Sequence, residues 1–175
     1  AAALRLLARA NGIALDDPRL AAAALSVGAD VPVCLAAKAR VMRGIGEILS
    51  APVGLPPLPA VLVNPGVATA TRDVFRAFAG MHGDTAPLGE VPKAGLIEFL
   101  HVHGNDLTPA AIACVPAVGE VLDVLAALPG VRLARMSGSG STCFALFHTA
   151  AEATHAAGTL RSGRPDWWVG AATLG

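Results

Sequence analysis

The sequence predicts an α+β protein, and three observations support that fold class. From residue 60 onward the patterns follow the order strand, helices, strand, strand, helix, strand. Two apolar runs, 131–136 and 142–147, flank a stretch of alternating serine and glycine, as expected for two strands joined by a loop. Residues 51–59 contain four prolines and a glycine, a composition typical of a linker between domains. The order after this linker is that of a split βαβ, ferredoxin-like arrangement.

The N-terminal part of the chain is predicted to begin with two helices. The first covers residues 1–10, and Asn11-Gly12 supplies its C-terminal stop. The second begins with Asp17 as the N-cap and Pro18 in the first helical position, and it runs to about Ser26.

The remaining elements follow from periodicity and turn residues. The segment 116–128 carries the strongest helical pattern, because Val118, Val121, Leu122 and Leu125 recur at helical spacing before Pro129-Gly130. Strands are predicted over 39–42, 48–49, 60–63, 131–136, 142–147 and 167–173. Further helices are predicted over 71–79, 94–102, 107–114 and 151–160, with a loop over 80–92.

Composition excludes several classes of partner. Charged residues make up 15% of the chain, against about 25% in a typical domain, and the formal net charge is zero. A neutral chain with no tyrosine lacks the positive surface and stacking aromatics typical of nucleic-acid binding. The apolar stretch 20–37 is interrupted by Gly28, Asp30 and Pro32, so we predict neither a membrane span nor a membrane partner.

The three cysteines predict neither a disulfide framework nor a zinc site. Cys34, Cys114 and Cys143 are far apart and form no CxxC motif. Each has apolar neighbours, so we expect buried thiols in a reducing, cytoplasmic compartment.

The stretch Ser137-Gly138-Ser139-Gly140-Ser141 is the first candidate for chemistry. Gly138 and Gly140 allow positive φ angles, and consecutive amide N–H groups with serine hydroxyls form a concavity suited to phosphate. The alternative is a glycine-rich hairpin turn without a ligand, since short motifs of this kind match often by chance.

Asp30 is the second candidate. It is the one carboxylate in the apolar stretch 27–35 and is followed by Val31-Pro32. A lone charge is seldom buried unless it is paired or functional. On the residues alone, a helix-cap or turn carboxylate and a catalytic group both stay open.

Three stretches taken together resemble one family. Gly28-Ala29-Asp30-Val31-Pro32, Asn64-Pro65-Gly66-Val67 with Thr71 to Phe75, and Met136-Ser137-Gly138-Ser139-Gly140 occur in the order seen in the 4-diphosphocytidyl-2-C-methyl-D-erythritol kinases. These enzymes belong to the GHMP kinase superfamily, and Asn105-Asp106-Leu107 and Trp167-Trp168-Val169 are also similar to the family.

The resemblance implies ATP-dependent phosphorylation of the 2-hydroxyl of a cytidine-diphosphate-linked methylerythritol, a step of non-mevalonate isoprenoid synthesis. It implies ATP with Mg²⁺ as cofactors and a cytoplasmic location. Residues 1–50 resemble the end of the family's N-terminal domain, which is ribosomal S5 domain 2-like. Residues 51–59 would be the linker, and 60–175 the C-terminal domain.

The family also has a preceding segment, with a catalytic lysine and a glycine-rich ATP loop, that has no counterpart in this sequence. We therefore expect the missing N-terminal segment to be a partner of this chain. We also expect the 175 residues to be inactive alone.

Site residues follow from the resemblance position by position. Asp30 would accept the proton of the hydroxyl, and Gly28, Ala29, Thr71 and Phe75 would contact the substrate, with Phe75 stacking on cytosine. The phosphate-site loop would be Ser137, Gly138, Ser139, Gly140 and Ser141.

Plain structural interpretations remain beside these roles. Thr71 could be an N-cap and Phe75 a core aromatic beside Val74. His101 and His103 lie two residues apart with no third ligand nearby, so we predict surface histidines and assign no metal ligand.

Two other functions compete with this prediction. One is another GHMP small-molecule kinase, such as a homoserine or mevalonate-type kinase. The other is a non-catalytic ferredoxin-like module that binds a ligand or partner. Asp30 within Gly-Ala-Asp-Val-Pro, together with Asn64-Pro65-Gly66, favours the cytidine-linked substrate.

Overall fold

The computed structural model describes residues 1–44, 46–79, 90–92 and 94–175, so the loop predicted over 80–92 lies largely outside the described residues. The chain forms two compact units. The first consists of Ala1–Pro56 together with Gly175, and the second of Pro57–Leu174. None of the described helices is long and apolar enough to cross a bilayer.

The first unit contains three helices and a small hairpin. Their bounds are α1 Ala2–Ala10, α2 Pro18–Val27, α3 Val31–Ala36, β1 Met42–Arg43 and β2 Ile48–Leu49, the two strands being antiparallel. Asp17 caps α2 as predicted, because its Oδ1 accepts a hydrogen bond from the Arg19 amide at 2.8 Å. A small core of Ala8, Leu20, Ala24 and Leu35 joins the three helices. The apolar pattern had not predicted α3 as a helix.

The second unit is an antiparallel sheet with helices, and its topology confirms the predicted fold class. The strands β3 Leu58–Asn64, β4 Leu133–Met136, β5 Cys143–Leu146 and β6 Trp168–Leu174 lie in the order β4-β5-β3-β6. The first and third strands of the unit are neighbours at the centre, and the second and fourth form the edges. This is the strand order of the split βαβ arrangement.

The helices of the second unit are α4 Thr71–Phe78, α5 Leu96–Val102, α6 Thr108–Cys114, α7 Ala117–Ala126 and α8 Ala150–Gly163. Helix α7 packs against β4 and β5, and α8 packs against β3 and β6. Val118, Val121 and Leu125 of α7 are fully buried, as their spacing predicted, whereas Leu122 is only partly buried.

Strand β3 begins at Leu58, inside the stretch 51–59 that the proline content predicted as linker. Pro59 pairs with Thr173 of β6, and its carbonyl accepts a hydrogen bond from the Phe147 amide at 2.9 Å. A proline near the start of a strand is compatible with pairing because its carbonyl still accepts, although it has no N–H to donate.

The cysteines differ from the prediction of three buried thiols. Cys34 and Cys114 are exposed, and only Cys143 is buried. Apolar neighbours in sequence do not decide which face of a short helix meets the core, and both exposed thiols lie on short helices. Burial raises the pKa of the Cys143 thiol to about 11.

Helix α8 begins with a capping box. The Thr149 hydroxyl accepts from the Glu152 amide at 3.1 Å, and Glu152 Oε2 accepts from the Thr149 amide at 2.9 Å. Hydrogen bonds from the amides of Thr149 and His148 hold the pKa of the Glu152 carboxyl below its ordinary value. The box satisfies amide groups that have no partner within the helix.

The thiol pattern predicts selective alkylation. At pH 8 iodoacetamide will modify Cys34 and Cys114, while Cys143 stays unmodified because its thiol is buried and fully protonated. Peptide mass spectrometry before and after unfolding in urea provides the measurement and its control. Modification of Cys143 in the folded protein at the rate of the other two thiols would contradict the structure.

The capping box predicts a matched pair of stability changes. Thr149→Ala should lower the free energy of unfolding by about 1 kcal/mol, because an N-cap hydroxyl is lost. The control is Thr154→Ala, since Thr154 lies exposed within the same helix and donates only to the Ala150 carbonyl; its change should stay within about 0.5 kcal/mol. Urea denaturation measures both, and equal effects would contradict the assignment.

The same capping box predicts that the free energy of unfolding depends on pH. Because the pKa of Glu152 is lowered by folding, its carboxylate stabilises the protein above the unfolded pKa of about 4.3, and that stabilisation is lost as the pH falls through the lowered value. The stability difference between the unsubstituted protein and Glu152→Gln should therefore shrink in acid.

Candidate functional site

The residues Ser137–Ser141, here called the serine–glycine loop, form the tip of the hairpin between β4 and β5. Met136 pairs with Cys143, and the Ser137 amide donates to the Thr142 carbonyl at 2.9 Å. Gly138 and Gly140 have φ angles of +55° and +86°, which favour glycine. The predicted glycines are therefore required by the turn itself, whether or not it binds a ligand.

The last residue of β3 and the segment after it hold one end of the loop. Asn64 Nδ2 donates to Thr142 Oγ1 at 2.9 Å, and Asn64 Oδ1 accepts from the Gly66 amide at 2.9 Å. Ser141, only 5% exposed, donates its hydroxyl to the Val67 carbonyl at 2.7 Å. The Ser141 hydroxyl thus has a structural bond within the protein.

Asn105 holds the other end of the loop from the segment before α6. Its Nδ2 donates to the carbonyls of Met136 at 3.0 Å and Gly138 at 2.8 Å. Its Oδ1 accepts from the Leu107 amide at 3.0 Å. The motif Asn105-Asp106-Leu107 was part of the family resemblance, but the sequence assigned no role to its asparagine.

A shallow cleft of about 440 Å³ lies beside the loop. Its lining residues are Asn64, Gly66, Val67, Ala68, Thr69, Gly140 and Ser141. The Oγ1 atom of Thr69 is buried there and has no hydrogen-bond partner within the described part of the chain. A Cβ at position 140 would lie 3.0 Å from Met136 Sδ, so the loop packs closely at Gly140.

Two amide groups of the loop are free to bind an anion. The Gly140 amide donates to the Ser137 carbonyl at 3.0 Å. Among the described residues, the N–H groups of Gly138 and Ser139 donate to no other group. Successive free N–H groups in a tight turn carry partial positive charge and are suited to phosphate oxygens.

The structure corrects the plain interpretations of Thr71 and Phe75. Ala70, not Thr71, is the N-cap of α4, and the hydroxyl oxygens of Thr71 and Ser139 lie 2.9 Å apart in a hydrogen bond. Phe75 is 52% exposed, so it is not a core aromatic, whereas Val74 is fully buried. Because residues i and i+4 share a helix face, Phe75 lies on the same face as Thr71, which contacts the loop.

Asp30 lies in the first unit, in a turn at the N-cap position of α3, as the plain structural interpretation predicted. Its exposed carboxylate makes no capping hydrogen bond. The turn between β1 and β2 lies close to it, because a Cβ at Gly46 would be 3.1 Å from Asp30 Oδ1 and 3.4 Å from Ala29 Cβ. Gly28 ends α2 in extended conformation, and its carbonyl accepts from the Val31 amide at 3.0 Å.

The side chains of His101 and His103 each bond to a backbone carbonyl. His101 Nε2 lies 2.9 Å from the Arg132 carbonyl, and His103 Nδ1 lies 2.9 Å from the Phe99 carbonyl. The His103 ring also stacks on Phe99, with 4.1 Å between centroids. Within the described residues, no three His, Cys, Asp or Glu side chains converge in a way that could hold a metal ion.

Comparison with known proteins gives relatives over almost the whole chain. The 4-diphosphocytidyl-2-C-methyl-D-erythritol kinase of Nitrobacter hamburgensis is 53% identical over 186 residues, which are 99% of this chain and 61% of that protein. The enzyme of the same name from Rhodopseudomonas palustris is 53% identical over 187 residues, again 61% of its length. This chain therefore spans about 61% of the length of these curated relatives.

Solved structures agree with this similarity. A crystal structure of 4-(cytidine 5'-diphospho)-2C-methyl-D-erythritol kinase superposes with a TM-score of 0.70 at 35% identity, covering 89% of this chain and 57% of that chain. A homoserine kinase from Cytophaga hutchinsonii shares the fold, with a TM-score of 0.51 and 19% identity over 83% of this chain and 50% of its own. Residues 94–163 match the family described as GHMP kinases C terminal. The chain is thus similar to kinases of this name over almost its whole length, and its residues 94–163 match the GHMP kinase C-terminal family.

Proposed function

We propose that the protein carrying this sequence transfers a phosphoryl group from ATP to the 2-hydroxyl of 4-diphosphocytidyl-2-C-methyl-D-erythritol. The observation that carries the proposal is 53% identity, over 99% of the chain, to an enzyme of that name. The product would enter non-mevalonate isoprenoid synthesis. A cytoplasmic location belongs to the same proposal.

The serine–glycine loop would bind phosphate oxygens. Phosphoryl transfer depends mainly on positioning and on stabilising charge on the transferred group. The free N–H groups of Gly138 and Ser139 supply two hydrogen-bond donors at the tip of the hairpin. The loop therefore fits a phosphate of ATP or of the substrate diphosphate.

Asp30 would orient the attacking hydroxyl and accept its proton. An exposed carboxylate without a capping bond is available to a substrate. Gly28 and Ala29 precede it with small side chains, which leave room for a sugar alcohol beside the carboxylate.

Thr71 and Phe75 would contact the cytidine part of the substrate. The Phe75 ring is 52% exposed on α4, and an exposed aromatic ring offers a face on which a base can stack. The contact of Thr71 with Ser139 connects that face with the phosphate-binding loop.

Mg²⁺ would accompany the phosphates of ATP. This ion usually keeps several waters and takes only one or two carboxylates together with phosphate oxygens. We assign it no ligand among the described side chains.

Turnover is proposed to need sequence beyond these 175 residues. The curated relatives are longer, and no stretch here matches the catalytic lysine or the glycine-rich ATP loop that the family resemblance implies. That N-terminal segment is the proposed partner of this chain. Activity is therefore best measured on the natural protein that contains this sequence.

The activity is tested by ADP release with the cytidine-linked substrate. Asp30→Asn and Asp30→Ala should each lower kcat by about 10²-fold or more, the usual contribution of a positioned proton acceptor. Asp16→Asn is the matched control, because Asp16 is an exposed carboxylate before α2 in the same unit. Its rate should equal that of the unsubstituted protein.

Other results would point elsewhere. Turnover of homoserine or mevalonate, but not of the cytidine-linked alcohol, would make the protein a different GHMP kinase. No turnover of any alcohol would favour a non-catalytic ferredoxin-like module. Full activity in both Asp30 variants would remove Asp30 from the mechanism while leaving the kinase assignment intact.

A further inference from the structure

We propose that Asn105 is a positioning residue that sets the orientation of the Ser139 amide in the serine–glycine loop; its catalytic consequence rests on the proposed function. The Nδ2 group of Asn105 donates two hydrogen bonds, one to the carbonyl of Met136, just before the loop, and one to the carbonyl of Gly138 within it. The side-chain oxygen is used by the Leu107 amide at the start of α6. Asn105 thus connects α6 to a loop more than 30 residues away in sequence, since 31 and 33 residues separate the bonded pairs.

The planarity of the peptide bond links these carbonyl contacts to the free amide. The carbonyl of Gly138 and the N–H of Ser139 belong to one peptide unit and point in opposite directions when that unit is trans. Because Asn105 holds the Gly138 carbonyl at 2.8 Å, the Ser139 N–H must point away from Asn105. Within the described residues that N–H has no other partner, so it is left for a ligand.

The loop needs such a restraint because of its glycines. Gly138 has a φ angle of +55°, and glycine populates positive and negative φ about equally. If the peptide group between Gly138 and Ser139 rotated by half a turn, the Gly138 carbonyl oxygen would point to where the Ser139 N–H now points. A carbonyl there would repel phosphate, so the Asn105 hydrogen bonds select the orientation that binds an anion.

Two substitutions separate this role from the local turn that Asn105 makes with Leu107 before α6. Asn105→Asp and Asn105→Ser both keep an oxygen that can accept from the Leu107 amide in such a turn. Neither side chain can donate to the carbonyls of both Met136 and Gly138. If Asn105 served only in this local turn, both variants would behave like the unsubstituted protein.

The test uses the natural protein that carries this sequence. In both variants we expect kcat for ADP release to fall at least about tenfold, while the KM of the alcohol substrate changes less than about twofold. Amide hydrogen exchange of Ser137 and Gly140, whose N–H groups are bonded within the hairpin, should accelerate, whereas exchange in α8 should not change. The matched control is Asn11→Asp. In the unsubstituted protein Asn11 Nδ2 donates to the Leu7 carbonyl in the first unit, so this variant also loses a side-chain donor, but kcat and KM should stay unchanged.

The outcomes distinguish this inference from the proposed function. Variants with kcat within twofold of the unsubstituted protein overturn the positioning role. If the unsubstituted protein itself turns over no alcohol, the proposed function fails and hydrogen exchange decides the orientation claim. Unchanged exchange of the Ser137 and Gly140 amides in both Asn105 variants then overturns the positioning role, and accelerated exchange supports it.

Discussion

The conformation of the serine–glycine loop depends on hydrogen bonds from three other segments of the chain. Asn64, Asn105 and Thr71 each reach the hairpin tip from a different place in the sequence, and Ser141 bonds back to the Val67 carbonyl. The sheet supplies two paired strands as a rigid base, but two positive-φ glycines leave their tip free to rotate. The side chains remove that freedom, and two amide N–H groups remain available to an anion.

Much of the fold could be predicted from the sequence, because it depends on local periodicity. The spacing of Val118, Val121 and Leu125 predicted a buried helix face, and the alternation of elements gave the strand order of the sheet. Errors arose where burial is decided by tertiary contacts. Cys34 and Cys114 both lie on short helices with apolar neighbours, and only the packing of those helices shows that both thiols are exposed.

The site was predictable in its residues but not in its connections. The glycines and serines of the loop are a local pattern, and so is the lone carboxylate Asp30. The hydrogen bonds of Asn64 and Asn105 span 78 and 33 residues, and no spacing rule relates such distant positions. An asparagine before a turn signals only a local bond to its own backbone, which Asn105 does make with Leu107.

The central claim is that the free amides of the serine–glycine loop bind phosphate. Nitrogen-15 NMR spectra of the natural protein, titrated with a non-hydrolysable ATP analogue and then with the cytidine-linked alcohol, test it directly. We expect the Gly138 and Ser139 amide resonances to shift in a saturable way in at least one titration, while the Gly158 resonance, from within α8, does not move. Saturable shifts elsewhere, with both loop amides unmoved in both titrations, would contradict it.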